Sequence, residues 1–352
     1  MTKSHASPGW YRAGQFLGRR IVAWIEIGAL LSGAAALVSL TASHWWFADL
    51  LAQFRLQWAT ALGGGVILFL VRRRWITASV VSVLFLWQSV PLGVYALVPS
   101  PETKETGDSP EGEIRLVSFN VLSANPRHGE VGAYLLASDA DVVGLLEVTP
   151  SWVRNLEGIA ARWPHRYESP RSDNFGLALW SRIPVRESTW IRHEPGSIPS
   201  LLVRFAPRSG APFQLILTHP VPPVGREATV WRDDQLRSLA RVIGSTDSPP
   251  WILAGDFNLT PWSPRFREAL REGRLLDPAR GRGIRATWHR FPTIWGGLPI
   301  DHTLHTSGIT PLDHEIGPSL GSDHRPVVFT FGVSAMSREE EVNRTTSIRQ
   351  EE

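Results

Sequence analysis

Apolar residues crowd the first hundred positions of the chain and become intermittent afterwards. Ile21 to Thr41 is a run of about 21 residues interrupted only by Glu26, and Trp75 to Val98 is a second run, carrying Gln88 and Pro91. About 20 mostly apolar residues suffice for a helix to cross the hydrocarbon of a bilayer. Leu56 to Val71, about 16 residues, is borderline on length. Charge decides the matter. Lys3, Arg12, Arg19 and Arg20 precede the first run, Arg72, Arg73 and Arg74 follow the borderline one, and the loop between them carries Arg55 against Asp49. Basic residues stay on the cytoplasmic side. Two spans would put the arginine clusters on opposite sides, whereas three put both inside. The pattern predicts a cytoplasmic N-terminus at 1–20 and a multi-pass, three-helix anchor in the cell membrane at 21–98. Everything after Val98 then lies outside the cytoplasm. Trp45 and Trp46 would sit at the outer interface, where indoles are favoured. A signal peptide fits poorly, because the first run is too long and no small-residue cleavage site precedes the polar loop. Glu26 is either functional or a residue that snorkels near the start of its span.

Residues 99–112 are rich in Pro, Gly, Ser, Thr and acidic side chains and predict a flexible linker; 333–352 has the same character and predicts a disordered tail. Between them, 113–332 reads as a folded domain. Short apolar runs bounded by turn residues predict strands at Ile114 to Phe119, Asp141 to Leu146, Phe213 to Thr218, Trp251 to Ala254, Leu298 to Leu304 and Val327 to Phe331. Helical stretches separate some of them: Glu130 to Ser138, Ser151 to Arg162, Glu227 to Ile243 and Pro264 to Glu272. Strands mixed with helices suggest a layered α/β domain.

Several of these runs carry a polar, titratable or amide residue at one end: Asn120, Glu147, His219, Asp256 with Asn258, Asp301, and Asp323 with His324. If those ends converge, they gather carboxylates that repel one another unless protons or a hard cation neutralise them. Oxygen donors without thiolates favour Mg²⁺, Mn²⁺ or Ca²⁺. A histidine beside an aspartate makes a general base near neutral pH. Taken one at a time, Asp256 and Asn258 could be turn formers, and His302 reads as structural.

Composition adds exclusions. With 43% apolar residues the chain is normal for a folded protein, and its net charge of +3 is a weak hint of an anionic partner. Only Lys3 and Lys104 are lysines, so the basic side chains are nearly all arginine, which contacts phosphate through a planar fork. There is no cysteine, which removes disulfides, zinc–thiolate sites and thiol catalysis.

Ser118-Phe119-Asn120, Leu145-Leu146-Glu147, Gly255-Asp256-Phe257-Asn258 and Gly321-Ser322-Asp323-His324-Arg325-Pro326-Val327 resemble, in order, the motifs of the endonuclease/exonuclease/phosphatase superfamily. The segment from Asn174 to Pro184 is similar to its central portion. The resemblance implies a four-layer α/β sandwich, two mixed β-sheets flanked by helices, and a Mg²⁺- (or Mn²⁺-) dependent phosphoesterase. It implies Glu147 as principal metal ligand with Asn120 beside it, and Asp323 as a second ligand or its neighbour. Asp256 would orient or deprotonate the attacking water. Asn258 would hold the phosphate, and His219 would bind it and protonate the leaving group. His324 would contact phosphate with Asp301 orienting its ring. Of Tyr11, Tyr95, Tyr134 and Tyr167, none aligns with the tyrosine that often lines the family's pocket. The expected substrate is a phosphomonoester, phosphodiester or lipid-linked pyrophosphate held near the lipid bilayer. Alternatives are a nuclease, supported by arginines such as Arg226 and Arg232, and an inactive phosphate-binding scaffold. No obligate protein partner is evident.

Overall fold

The structure, a computed structural model, describes residues 9–100, 112–208, 210–246, 249–289 and 296–333. The expected linker at 101–111, the tail at 334–352 and the first eight residues lie outside that set. The chain divides into two units, Met1–Val94 and Tyr95–Glu352.

The first unit is helical: α1 (Gly9–Val38), α2 (Trp46–Gln53), α3 (Arg55–Val71) and α4 (Trp75–Leu97), which continues into the second unit. Among the described residues, two helices are long and apolar enough to cross a membrane, Arg19–Thr41 and Trp75–Leu97. The expected middle span is a 17-residue helix that reaches such a length only together with α2, and the two are bent by 68°. The count is therefore two, or three if the bent pair is one span. The helices pack through small residues. A Cβ on Gly65 of α3 would stand 2.6 Å from Ala29 Cβ of α1 and 3.6 Å from Val81 of α4. Small residues let apolar helices approach without a hydrophobic driving force between them. Farther along, Gly33 faces Leu62 and Leu84, and Gln88 donates to Ser39 Oγ at 3.4 Å. These pairs fix α1 and α3 as antiparallel and α4 as parallel to α1. Glu26 lies 3.3 Å from Arg72 and 3.4 Å from Arg74, so the turn between α3 and α4 supplies its counter-charge.

The second unit contains two mixed sheets. Its elements follow in the order β1 (Ile114–Asn120), α5 (His128–Ala137), β2 (Val142–Leu146), α6 (Pro150–Ala160), β3 (His165–Ser169), β4 (Leu177–Ser181), β5 (Val185–His193), β6 (Ile198–Phe205), β7 (Phe213–Thr218), α7 (Arg226–Gly244), β8 (Trp251–Asp256), α8 (Pro264–Glu272), β9 (Trp288–His289), β10 (Gly297–Leu298), β11 (Asp301–His305), β12 (Ile309–Ile316) and β13 (Val327–Val333). One sheet has the order β12-β13-β1-β2-β4-β3 and the other β11-β8-β7-β6-β5, with β9 and β10 forming a small ribbon. Alternation along β1 sorts its side chains. Leu116 joins the core between the sheets, while Val117 and Phe119 join the core under α5 and α6. Phe257 and Leu253 pack under α7 and α8 on the opposite side. The result is helix, sheet, sheet, helix, as the family resemblance implies. At Gly144 the two sheets approach closely: a Cβ there would meet Leu217 at 2.8 Å. Helix starts follow local rules. Thr149 and Ser263 cap α6 and α8 ahead of Pro150 and Pro264 at the first turn.

Each sheet has one parallel pair among the described strands, β1 with β2 and β7 with β8. The carboxyl ends of these four strands carry Asn120, Glu147, His219 and Asp256. β11 and β13 run antiparallel to β8 and β1, so their beginnings fall at the same edge; Asp301 pairs directly with Asp256.

Two histidines are buried away from that edge. Burial pushes His305 down to about 4 and His314 down to about 3, the latter aided by the guanidinium of Arg285. Their folded values lie below the unfolded value of 6.5, so the unfolded chain takes up protons first as pH falls. We predict that acidification to pH 5 destabilises the fold by on the order of 2 kcal/mol per histidine. Thermal melts of the detergent-solubilised protein check this: the midpoint falls between about pH 6.5 and 5, and a flat profile sinks the assignment.

Candidate active site

The shared edge concentrates charge inside the protein. Asp256 is 2% exposed and sits at its centre. Its Oδ1 accepts from the backbone N–H of Asn258 at 2.9 Å. Its Oδ2 is approached by three nitrogens: Asn120 Nδ2 at 3.2 Å, His219 Nε2 at 3.4 Å and His324 Nε2 at 3.5 Å. His324 is in turn held through Nδ1 by Asp301 Oδ2 at 2.9 Å. Asn120 Nδ2 also donates to Glu147 Oε1 at 3.0 Å, and Asn120 Oδ1 accepts from Leu122 N, which fixes the orientation of the amide.

Backbone geometry aims these groups. Gly255 has φ +140°, and a Cβ there would collide with the carbonyl of Thr218 at 1.9 Å, so β7 and β8 can close on one another only with glycine before Asp256. Glu147 (φ +59°) and Asn258 (φ +51°) occupy the left-handed region, which is costly for a side chain such as glutamate. Both turn out of a strand end into the site.

The electrostatics follow from burial and mutual proximity. Burial alone would push Asp256 up, but the imidazoles of His324 and His219 outweigh it and hold the carboxylate down at about 2. Burial likewise opposes charge on His324, yet the carboxylates of Asp301 and Asp256 push it up to about 10. His219 is raised in the same way, against burial, by Asp256 and Glu147. Two imidazoles held towards their protonated forms therefore flank one ionised carboxylate, N–H donors suited to an anion with several oxygens.

The expected residues meet to different extents. Asn120, Glu147, Asp256, His219, Asp301 and His324 form one connected network. Asn258 is contiguous with it and donates its side-chain N–H to the carbonyl of Pro220 at 3.1 Å. Asp323 sits on the same loop as His324, with Oδ2 held by Trp288 Nε1 at 2.9 Å and Oδ1 buried without a hydrogen-bond partner. His302 is structural: its Nε2 is 2.7 Å from the carbonyl of Leu259. Arg232, expected near the site as support for a nuclease, is fully buried, donating to Asn258 O and to Asp233, so it is not free to grip a nucleic acid. Trp262 is buried. Trp295 lies outside the described residues.

Supporting residues passed unnoticed in the sequence. Ser123 donates through its N–H and its hydroxyl to Glu147 Oε2. Ser322 donates to the carbonyl of Asn120 and accepts from His324 N. Thr287 Oγ1 accepts from the N–H groups of Ile300 and Asp301. Phe175 packs on His219 with centroids 5.6 Å apart. Ser322 lies inside a motif and was findable; Ser123 and Thr287 have no sequence signal, because small hydroxyl residues are common in turns.

A hard divalent cation fits this donor set, which is buried, rich in carboxylate oxygen and free of thiolate. The unpartnered Asp323 Oδ1 is an oxygen such an ion could satisfy. Asp256, Asp301 and His324 also offer atoms within 4.8 Å of one another, a spacing that could hold a metal. That trio is already an internal ion pair, since both His324 nitrogens face carboxylates and the imidazole is cationic.

The family model for the Endonuclease/Exonuclease/phosphatase family matches residues 117–324. The chain belongs to this family. Solved structures agree on the fold. Humanized D. rerio TDP2 is 22% identical, with a TM-score of 0.53 over 63% of this chain and 99% of that one. The endonuclease/exonuclease/phosphatase from Bacteroides vulgatus is 20% identical, with a TM-score of 0.54 over 64% and 100%. The human Nocturnin catalytic domain with bound sulfate anion is 19% identical, with a TM-score of 0.52 over 63% and 95%. A comparison with curated proteins finds no match.

The folded value of His324 lies above its unfolded one, so its stabilising contribution is complete below 6.5 and is lost as pH rises through about 10. We predict that melting midpoints in chelator fall between about pH 7 and 9.5, and that Asp301→Asn flattens this alkaline slope. An equal slope in the variant would show that Asp301 does not hold the imidazolium.

Proposed function

We propose that this protein is a membrane-anchored, divalent-cation-dependent hydrolase of a phosphoester, with a lipid-linked phosphate or pyrophosphate as the favoured substrate class. One observation carries the reading: two raised imidazoles, two amides and the carboxylates of Asp256 and Glu147 converge at one edge of two rigid sheets. A scaffold has no need to bury such a network.

In the proposed reaction, Asp256 accepts a hydrogen bond from the attacking water and draws off its proton as the water adds to phosphorus. The Nε2–H groups of His219 and His324 turn to the phosphoryl oxygens, where charge grows in the transition state. His219, with Phe175 against one side and Nδ1 unpartnered, donates a proton to the leaving oxygen. Asp301 keeps the His324 ring oriented, and Asn258 donates its remaining amide N–H to phosphate. Glu147, with Asn120 beside it and Asp323 nearby, would hold Mg²⁺ or Mn²⁺, which when bound supplies Lewis-acid stabilisation of phosphoryl charge.

The anchor favours an amphiphilic substrate. A tethered domain meets membrane-embedded phosphates at high effective concentration. A nuclease is the second reading, favoured by a relative, D. rerio TDP2, whose structure holds a single-strand DNA product; the burial of Arg232 weighs against carrying that over. Three crossings are supported by the antiparallel packing of α1 on α3 and by Glu26 lying beside Arg72 and Arg74, which puts the two basic clusters at one end of the bundle. The catalytic domain then lies outside the cytoplasm.

Turnover of DNA, phospholipid and polyprenyl pyrophosphate by the solubilised protein with Mg²⁺ or Mn²⁺ tests the chemistry. We expect the lipid-linked pyrophosphate to be preferred, and His324→Ala to lower kcat/KM by about 10²–10³. Glu147→Gln should also raise the cation concentration needed for half-maximal rate. Cleavage of DNA alone would move the assignment to a nuclease, and cation-independent or absent turnover would refute it. Separately, a C-terminal alkaline phosphatase fusion should be active and a C-terminal fluorescent reporter that matures only in the cytoplasm should be dark; the reverse pattern overturns the outward placement.

A further inference from the structure

Sequence patterning assigns Tyr95 to a span and Pro99 and Ser100 to a flexible linker, but all three belong to the second unit and are fixed there. Five hydrogen bonds fasten Tyr95–Ser100 to the strap at 277–283. Tyr95 Oη donates to Asp277 Oδ2 at 2.9 Å, and Ser100 Oγ donates to Asp277 O at 3.0 Å. Gly281 N donates to Tyr95 O at 2.8 Å and Gly283 N to Ala96 O at 3.0 Å, while Arg280 Nε donates to Val98 O at 3.0 Å. The approach is close enough that a Cβ on Gly281 (φ +83°) would stand 2.7 Å from Pro99 Cα. Ser100 and Asp277 are each 4% exposed, so this is an interior contact.

The contact leads to the catalytic edge. Leu276, next to Asp277, bridges to His305 at the far end of β11, the strand that begins with Asp301. The Tyr95 ring packs edge-on against Trp262 with centroids 6.4 Å apart, four residues beyond Asn258 in the chain. Tyr95 also lines a cavity whose other walls include Arg285, Thr287, Asp301 and His302. Thr287 is the residue that holds the backbone of Asp301, and Asp301 holds His324.

We propose that Tyr95 is a positioning residue for the Asp301–His324 pair: clamped by Asp277, its ring closes the cavity behind Asp301 and keeps β11 and the 277–283 strap in one arrangement. Residues 95–100 are thus a functional part of the catalytic unit. The consequence for turnover rests on the hydrolase reading above; the consequence for order at Asp301 does not.

The test uses the full-length protein with Tyr95→Phe, Tyr95→Ala, Asp277→Asn and the Tyr95→Phe/Asp277→Asn double variant. For a positioning role, kcat per folded molecule falls about tenfold in Tyr95→Ala while KM stays within about twofold. Tyr95→Phe lowers kcat by about threefold, Asp277→Asn lowers it less because the amide still bonds the hydroxyl but without charge, and adding Asp277→Asn to Tyr95→Phe lowers it no further, because the bond it weakens is already gone. Hydrogen-exchange mass spectrometry supplies the readout that needs no substrate: amides at 299–305 exchange about tenfold faster in Tyr95→Ala. Unchanged exchange at 299–305 overturns the proposal whatever the activity, and so does full additivity of the Tyr95→Phe and Asp277→Asn effects. Absence of turnover in the wild-type protein, with faster exchange in the variant, refutes the hydrolase reading and leaves the positioning contact standing.

Discussion

A carboxylate kept ionised in a protein interior dictates what surrounds it, and Asp256 is that group here. At 2% exposure it is cut off from bulk solvent, so the protein must supply donors to hold its charge. Asn120, His219 and His324 come to one oxygen and the Asn258 N–H to the other. Each donor then imposes a further requirement. A carboxylate between two imidazoles favours their protonated forms, and a buried imidazolium needs a partner of its own, which Asp301 provides for His324. Asp301 needs an ordered backbone, which Thr287 provides. The site is a chain of such obligations.

The architecture is what allows them to be met. Donors to Asp256 come from β1, from the end of β7 and from the loop before β13, segments separated by as many as two hundred residues. Parallel pairs in each sheet direct their carboxyl ends to one edge, and the antiparallel neighbours β11 and β13 begin at that edge. Stacking the sheets face to face across Gly144 and Leu217 brings Asn120 and Glu147 of one against His219 and Asp256 of the other. Neither sheet alone contains the site.

Much of this was legible in the sequence because it lies on strands. Apolar runs ending in Asn120, Glu147, His219 and Asp256 announced both the strands and the polar edge, and the helices from 264 to 272 and near 227 to 243 fall where their patterns put them. What escaped has more than one cause: β4 and β6 were not among the expected strands although they are almost wholly buried. β3, β5 and β12 are half-exposed, with charged residues such as Arg166, Glu187 and Glu315 alternating with weakly apolar ones, so no continuous run betrays them. The expected strand from Leu298 to Leu304 is two pieces, separated at Pro299, which has no N–H for a ladder, and Ile300. Residues 99 and 100 look like linker, since a hydrogen bond from Ser100 to a carbonyl 177 positions away leaves no local trace. Composition reports what a segment prefers by itself; it is silent about a docking surface supplied elsewhere.

The polar edge is also where the backbone is least relaxed. Glu147 and Asn258 adopt left-handed backbone conformations immediately after buried strands, and Gly255 adopts one that few other residues tolerate. A left-handed residue with a side chain costs about 1–2 kcal/mol, less for asparagine. Folding alone would favour relaxing these turns. They persist because Ser123 grips both the carboxylate and the carbonyl of Glu147, and because Arg232, on the buried face of α7, holds the carbonyl of Asn258. The groups that look most structural, a buried arginine and a turn serine, therefore sustain the least comfortable backbone, and that backbone is what aims the polar side chains of the candidate site at one another.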